Sequence, residues 1–443
     1  MYANKVLLLI FAAAALASCS KMSGPPAPSL PTTMKEIPAS RLNFRYEGDV
    51  PAPPESKTVA TAQARNAAIQ ADFDQNRAQE LLDSTTASPD GKRCLAVYHR
   101  AGDMPAEFRL DMYSGDGKIL RRVTPDSLAV HFPDTIVWSP NSENIAFVGM
   151  LRATAPADPN APPPAGPAAN ANAAIPPVSA NANNANAGAG ETAEAQPTSQ
   201  PQLPGPAAVL AFRTEQIYLA NTDGDGLKPL TQNEGLIYFY YVWAPDSSAL
   251  AASAATARDW QFFQARSDSK GEVFIPLGRP RIVERNGRER RLDDTNTSVQ
   301  PVWAPDSSKV AVGFDMQIRI YDAIGNAPTQ AAIPLRNYLR ISSAAYDRDL
   351  EKKLTEGHGA VDTTAAQPAD NANTNTNAEA PVTLPDESSL VSFNPIVALN
   401  WQADNLLYFQ TAYIKHMKNE GDSVTSYQRW HRLVFTPQPV AGS

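Results

Sequence analysis

An all-β fold made of one sheet repeated several times is what this sequence predicts, on three observations. The phrase VWAPDSS occurs at 242–248 and again, letter for letter, at 302–308, with looser copies elsewhere. Each copy is followed by an apolar strand-like run, and most by a second turn built on Asp-Gly, Asn-Gly or Gly-Asn. The prolines at 89, 140, 245 and 305, with Ala403 standing in for the fifth, lie about 50–60 residues apart once two inserts are set aside, and one connection stays longer. Self-similarity at a fixed period of this size marks a repeat architecture.

The chain opens on a leader. Lys5 precedes the apolar run 6–16, and Ala17-Ser18-Cys19 follows. A charged start, a short apolar core and small residues before a cleavage point mark a secretory signal over residues 1–18. The run falls short of the ~20 residues that cross a bilayer. Leu16-Ala17-Ser18-Cys19 resembles the bacterial lipoprotein lipobox. The resemblance implies lipidation of Cys19 and an exported protein held to a membrane by that anchor. Ser20 then favours the outer membrane, with the body facing the periplasm or the cell surface. An ordinary signal peptide with an incidental cysteine, or a short anchor, is the alternative. With Cys19 modified, Cys94 has no partner and no internal disulfide is expected. In the run Cys94-Leu95-Ala96-Val97 it reads as a buried small hydrophobe.

Residues 19–57 are Pro-rich and patternless, which predicts a tether of ~3.1 Å per residue. Residues 58–83 carry Ile69, Phe73 and Leu81 at near-helical spacing, which predicts one amphipathic helix. The repeats are expected over 84–438. Inserts at 152–208 and 362–385 interrupt them, and their Asn/Ala/Pro composition cannot bury enough apolar surface to offset ordering entropy. They are expected to be disordered loops.

Each letter of the repeat has a physical reason. Trp138, Trp243, Trp303 and Trp401 end a strand with a large residue suited to a half-buried sheet face. Pro89, Pro140, Pro245 and Pro305 fix φ at the first corner of a turn. Asp90, Asn141, Asp246, Asp306 and Asp404 accept hydrogen bonds from the turn's own backbone. A small alanine follows in the next strand and lets neighbouring sheets approach. The first copy lacks Trp, and the last lacks Pro and has a shortened turn. Second hairpins are expected at 112–117, 219–226, 283–287 and 320–326. Two hairpins make four strands, the unit of a β-propeller blade, and the count is five or possibly six. A sixth, degenerate blade is sought at 331–350 or at the N-terminus. Ring closure is expected to borrow a strand, Leu42-Asn43-Phe44-Arg45-Tyr46, to pair with the run 430–435.

With these residues laid out, the Trp-Ser/Ala-Pro-Asp phrase and the hairpin Asp225-Gly226-Leu227-Lys228-Pro229-Leu230-Thr231 are similar to the WD40-like propeller repeat of TolB-type proteins. The similarity covers about 84–151, 209–350 and 386–438. It implies protein–protein contact in the cell envelope. That family's companion α/β domain has no room in 20–83. WD40-like propellers also cap serine peptidases of the prolyl oligopeptidase type, although no hydrolase domain is expected after Phe435.

Chemistry is sparse. The net charge of −8 argues against a nucleic-acid partner. Asn221, Asp223 and Asp225 half-match a calcium loop, but Gln232 stands where a bidentate Glu belongs, so a hairpin turn is the better reading. The one basic cluster, 279–291, is read as a charged hairpin on an outer edge, with an anionic surface as the functional alternative. His99, His131, His358, His416 and His431 have no metal spacing, and no hydrolase or nucleotide motif occurs. No cofactor and no metal are expected. Trp260, Phe262 and Phe263 fall off the repeat and are read as core packing, with an exposed recognition patch as the alternative. The preferred function is a non-catalytic, lipid-anchored scaffold that docks a protein or peptide. The alternative is a propeller hydrolase, or an accessory of a peptidase or carbohydrate-processing system, with its site in the central channel.

Overall fold

The computed structural model describes residues 33–54, 65–152, 210–357 and 384–437. Cys19, the leader and nearly all of both inserts lie outside the described residues. Within them the chain is mostly β, in five antiparallel sheets taken in sequence order. The first holds Glu80–Ala87, Arg93–Arg100, Arg109–Ser114 and Ile119–Arg122. The second holds Leu128–His131 with Val137–Trp138, then Asn144–Leu151, Gln216–Asn221 and Lys228–Pro229. The third holds Leu236–Trp243, Ala249–Thr256, Arg279–Glu284 and Glu289–Arg291. The fourth holds Val302–Trp303, Lys309–Phe314, Gln317–Asp322 and Gln330–Pro334. The fifth holds Ile396–Ala403, Leu406–Lys415 and Val424–Pro437, and takes its last strand, Leu42–Val50, from the other end of the chain. Phe44 pairs with Phe435 and Tyr46 with Leu433.

Successive sheets are joined by apolar layers. In the second strand of each middle sheet, alternate side chains point to opposite neighbours, as the pleat requires. Ile145 and Phe147 face the first sheet, while Ala146 and Val148 face the third. Leu250 faces the second sheet and Ala251 the fourth. Ala311 opens toward the fifth. Trp138, Trp243, Trp303 and Trp401 each sit in the layer shared with the preceding sheet, all buried. The indole Nε1–H of Trp138 donates to the Thr86 carbonyl (3.2 Å) and that of Trp303 to the Val242 carbonyl (3.1 Å). The buried Nε1 of Trp243 has no partner among the described residues. Trp401 bonds within its own turn, to the Asp404 carbonyl.

The repeated turns are linked to one another. Asp90, Asn141, Asp246 and Asp306 accept the N–H two residues on, at 2.9–3.2 Å. The next residue is left-handed: Gly91, Ser142, Ser247 and Ser307 have φ of 71°, 62°, 63° and 61°. Serine is strained there and glycine is not. The hydroxyl explains the choice, since each serine accepts the turn N–H of the preceding sheet. Asp90 N–H meets Ser142 (3.1 Å), Asn141 N–H meets Ser247 (3.2 Å) and Asp246 N–H meets Ser307 (3.0 Å). In the fifth sheet the turn shrinks to Asp404-Asn405.

Three expectations need correction. The helix sought over 58–83 is shorter: α1 is Ala67–Asn76, N-capped by the Asn66 side chain, and a strand begins at Glu80. Ile69 and Phe73 are buried against the first sheet, but Leu81 is 61% exposed on that strand. The stretch 19–57 is not all tether, because Leu42–Val50 is a strand and Met34, Ile37 and Ala39 are buried. No sixth sheet forms at 331–350; helix α3, Arg336–Gly357, follows the strand Gln330–Pro334. A further helix, α2 at Ala257–Lys270, leaves the third sheet.

Two substitutions test the junctions. Ser247→Ala removes the acceptor of Asn141 N–H and keeps the left-handed strain, so it should cost about 1 kcal/mol in urea unfolding, while Ser247→Gly relieves the strain and costs less. Trp303→Phe should cost about 1 kcal/mol more than Trp243→Phe, because only Trp303 loses a bonded donor. Equal losses at the two tryptophans would contradict the assigned bonds.

Candidate functional site

The two ends of the sheets differ. One end carries the repeated turns and the second hairpins, all tight, with Gly117, Gly226, Gly287 and Gly325 supplying positive φ. The other end carries α2 and the long hairpin between Leu406–Lys415 and Val424–Pro437. Thr256 caps α2 by accepting from Asp259 N–H, and left-handed Gly271 ends it. The long hairpin reaches the end of that helix, where Met417 bridges Glu272. Val273 N–H donates to the His416 carbonyl and Lys418 N–H to the Gly271 carbonyl, both at 2.9 Å. Lys418 Nζ pairs with Asp268 at 2.8 Å.

Under this brace lies a cavity of about 480 Å³, reached by Ile275, Leu277, Val299, Phe314, Ile396 and Ile414. A second hollow of about 280 Å³ adjoins it, sharing Ile275, Leu277 and Ser298, and runs under Phe263, Arg266 and Lys270 of α2. Along the groove Ile275 is 47% exposed, Val273 46% and Ile414 37%, and Phe262, 62% exposed, packs edge-on against Phe263 of its wall. This is a concave apolar strip on a face of long elements. Asn296 lines it, and its buried Oδ1 accepts nothing from the described residues. The ring of His416 also lines it and has no hydrogen-bond partner among them. The groove can take an apolar segment and offer its backbone an acceptor. Among the described residues no hydroxyl or carboxylate bonds the His416 ring, the one imidazole in the lining.

The residues singled out from sequence fall elsewhere. The repeat turns, from Pro89 and Asp90 to Asp404, lie on the tight end, away from the groove. Cys19 lies outside the described residues. Cys94 is buried, and burial pushes its thiol up. Asn221 Oδ1 accepts from Asp223 and Asp225 N–H, and those two carboxylates pair with Arg93 and Arg121. The basic cluster is a hairpin on the outer edge of the third sheet, but it is largely neutralised. Arg281 pairs with Glu289, Arg288 with Glu284, Arg279 with Asp259 and Arg291 with Asp294. Trp260, Phe262 and Phe263 are not core: none is buried, and Trp260 packs on Phe132, Phe239 and Phe274 beside the groove. The signal that could have found α2 was Thr256 three residues before Asp259, with Gly271 beyond.

A second polar cluster closes the fifth sheet. His431 is fully buried, with Nδ1 2.9 Å from the Tyr46 hydroxyl and Nε2 3.0 Å from the Thr411 hydroxyl. Arg429 pairs with Asp49 at 2.6 Å. Burial opposes the Asp49 charge, but the hydrogen bond and charge of Arg429 hold its carboxyl below the usual range. Both nitrogens of His431 are engaged and Phe409 stacks on the ring, so the cluster is structural.

No family model and no curated protein matches this chain. Solved structures do. One is from a study of two prolyl endopeptidases (10% identity, 78% of this chain and 34% of that one, TM-score 0.34). Another is prolyl oligopeptidase B from Galerina marginata (8%, 80% and 36%, TM-score 0.36). A third is an oligogalacturonate lyase in complex with manganese (11%, 56% and 46%, TM-score 0.27). The chain thus spans from about a third to about half the length of these proteins. Among the described residues no group of three or more His, Cys, Asp or Glu could hold a metal, and no helix is long and apolar enough to cross a membrane.

Burial first, and then the Arg429 charge, lower the His431 pKa from 6.5 to about 3. The unfolded chain therefore takes up this proton first as pH falls. The contribution of the neutral ring is complete above about 6.5 and is lost as pH falls toward 3. His431→Gln should flatten the loss of thermal stability between pH 6.5 and pH 4 relative to the parent; an unchanged slope would mean the ring is not neutral in the fold.

Proposed function

We propose that the five sheets form the blades of a β-propeller of the WD40-like, TolB-type kind, and that the chain is an exported lipoprotein anchored through Cys19, in the outer membrane. Its role is to dock an extended segment of a protein or peptide in the groove between α2 and the long hairpin. The observation that carries this is the exposed apolar strip Val273, Ile275 and Ile414 beside a concave floor. Exposed apolar surface of this kind on a soluble body marks an interaction site. Rigid sheets holding long loops at a common face suit recognition.

The second reading is a propeller hydrolase or lyase, or the propeller of a peptidase or carbohydrate-processing system. It is the reading that matches what the solved neighbours are, prolyl peptidases and a lyase. At their identities and TM-scores they carry no activity across. Against it stands the lack of a paired nucleophile and base in the groove.

A photo-crosslinker placed at Phe262 should give protein adducts in intact cells, one placed at Asn286 on the tight end should not, and Ile275→Asp should abolish the former. Adducts that survive Ile275→Asp would remove the groove from the account. Turnover of a prolyl peptide or an oligogalacturonate by the purified chain would move the assignment to the second reading.

A further inference from the structure

We propose that the rim where the N-terminal segment enters the folded body docks on an anionic phospholipid bilayer; the inference rests on the lipid-anchor reading of Cys19. The first described residue is Thr33. Lys309 Nζ donates to the Met34 carbonyl at 3.0 Å, the Asp322 carboxylate accepts Ala39 N–H at 3.0 Å, and the Thr329 hydroxyl accepts Ser40 N–H at 3.2 Å. Met34, Ile37 and Ala39 are buried against the fourth sheet. This clamp sits on the hairpin 322–329, at the tight end and opposite the groove. Thr33 lies only 14 positions after Cys19. The covalent reach of that stretch is at most about 50 Å, so an anchor at Cys19 keeps this rim near the headgroups.

The same rim holds the excess positive charge. Arg290 donates to the carbonyls of Asp322 and Ala323, at 3.1 and 2.8 Å, which places it beside the clamp. Burial and the Arg288 charge lower its pKa, as expected for a guanidinium with no carboxylate bonded to it. Arg291 is next to it. Lys35 and Arg41 are exposed, and neither meets a carboxylate among the described residues. With Lys309 of the clamp these make five cations against Glu36, Asp294, Asp306 and Asp322, and Lys35, Arg41 and Arg290 are those that no carboxylate pairs among the described residues. The tip of the basic hairpin, where Arg288 is paired, has no such surplus. Attraction of basic side chains to an anionic leaflet decays within a Debye length, so it acts only on a patch held close. The leash supplies that closeness. Docked this way, the tight end meets the bilayer and the groove faces away from it, open to a partner.

The exported chain carrying Cys19→Ser should co-sediment with phosphatidylcholine vesicles containing about one-third phosphatidylglycerol, not with pure phosphatidylcholine, and added salt should weaken the binding. Lys35→Gln with Arg41→Gln should weaken it about thirtyfold with thermal stability unchanged, since both side chains are exposed and unpaired. Arg290→Gln should weaken it also. Equal binding to neutral vesicles, or a double variant that binds like its parent, overturns the proposal. The anchor is judged separately, by fractionating cells that express the parent or Cys19→Ser. If both stay with the membranes alike after a high-salt wash, which releases ionic docking, the lipid on Cys19 is wrong, while vesicle binding by the unlipidated chain still decides the surface.

Discussion

The hydroxyl of a left-handed serine, accepting the turn N–H of the sheet before it, is the contact on which the arrangement of sheets depends. It recurs at Ser142, Ser247 and Ser307 and ties four sheets in a row. Each bond is worth only about 1 kcal/mol net. Its effect is to set spacing. With the turns fixed at hydrogen-bond distance, the tryptophan of each sheet must enter the layer before it, and the alanine opposite must be small. Gly91 lacks a hydroxyl, and its sheet is the first, so no turn of an earlier sheet in the series asks for one. Instead α1 covers that sheet's free side with Ile69 and Phe73.

The repeat was legible because turn chemistry is local: Pro, Asp and a left-handed residue within seven letters determine a corner whatever surrounds it. The borrowed strand Leu42–Val50 was legible for a similar reason, since Leu42, Phe44 and Tyr46 alternate with Asn43 and Arg45, the pattern of a half-buried strand. What sequence reading missed was set by tertiary contact. Leu81 fitted a helical stripe, yet pairing with His99 took it into a strand. Residues 331–350 were searched for strands because a blade was wanted there, whereas the run after Leu335 has the alanine, arginine and leucine content of a helix. The charge of the 279–291 hairpin was visible, but its neutralisation by Asp259, Glu284, Glu289 and Asp294 was not, because pairing depends on which edge faces which.

The groove was the least legible region. Its walls come from α2, from the hairpin 406–437, and from the loop 292–301, segments more than a hundred residues apart in the extreme case. No spacing rule joins them. Sequence could show that Phe262 and Phe263 stood outside the repeat. It could not show that the long hairpin would cross to Gly271 and leave them at a rim instead of a core.

The fifth sheet joins both ends of the body, with Leu42 opposite Pro437. A pull applied between those two residues loads the ladder from its open end, so its rungs break in succession, not all together. The clamp at 33–41 lies outside that ladder on the N-terminal side. Tension arriving along the N-terminal segment falls first on Lys309 and Asp322, and the seam of the fold feels it only after they let go.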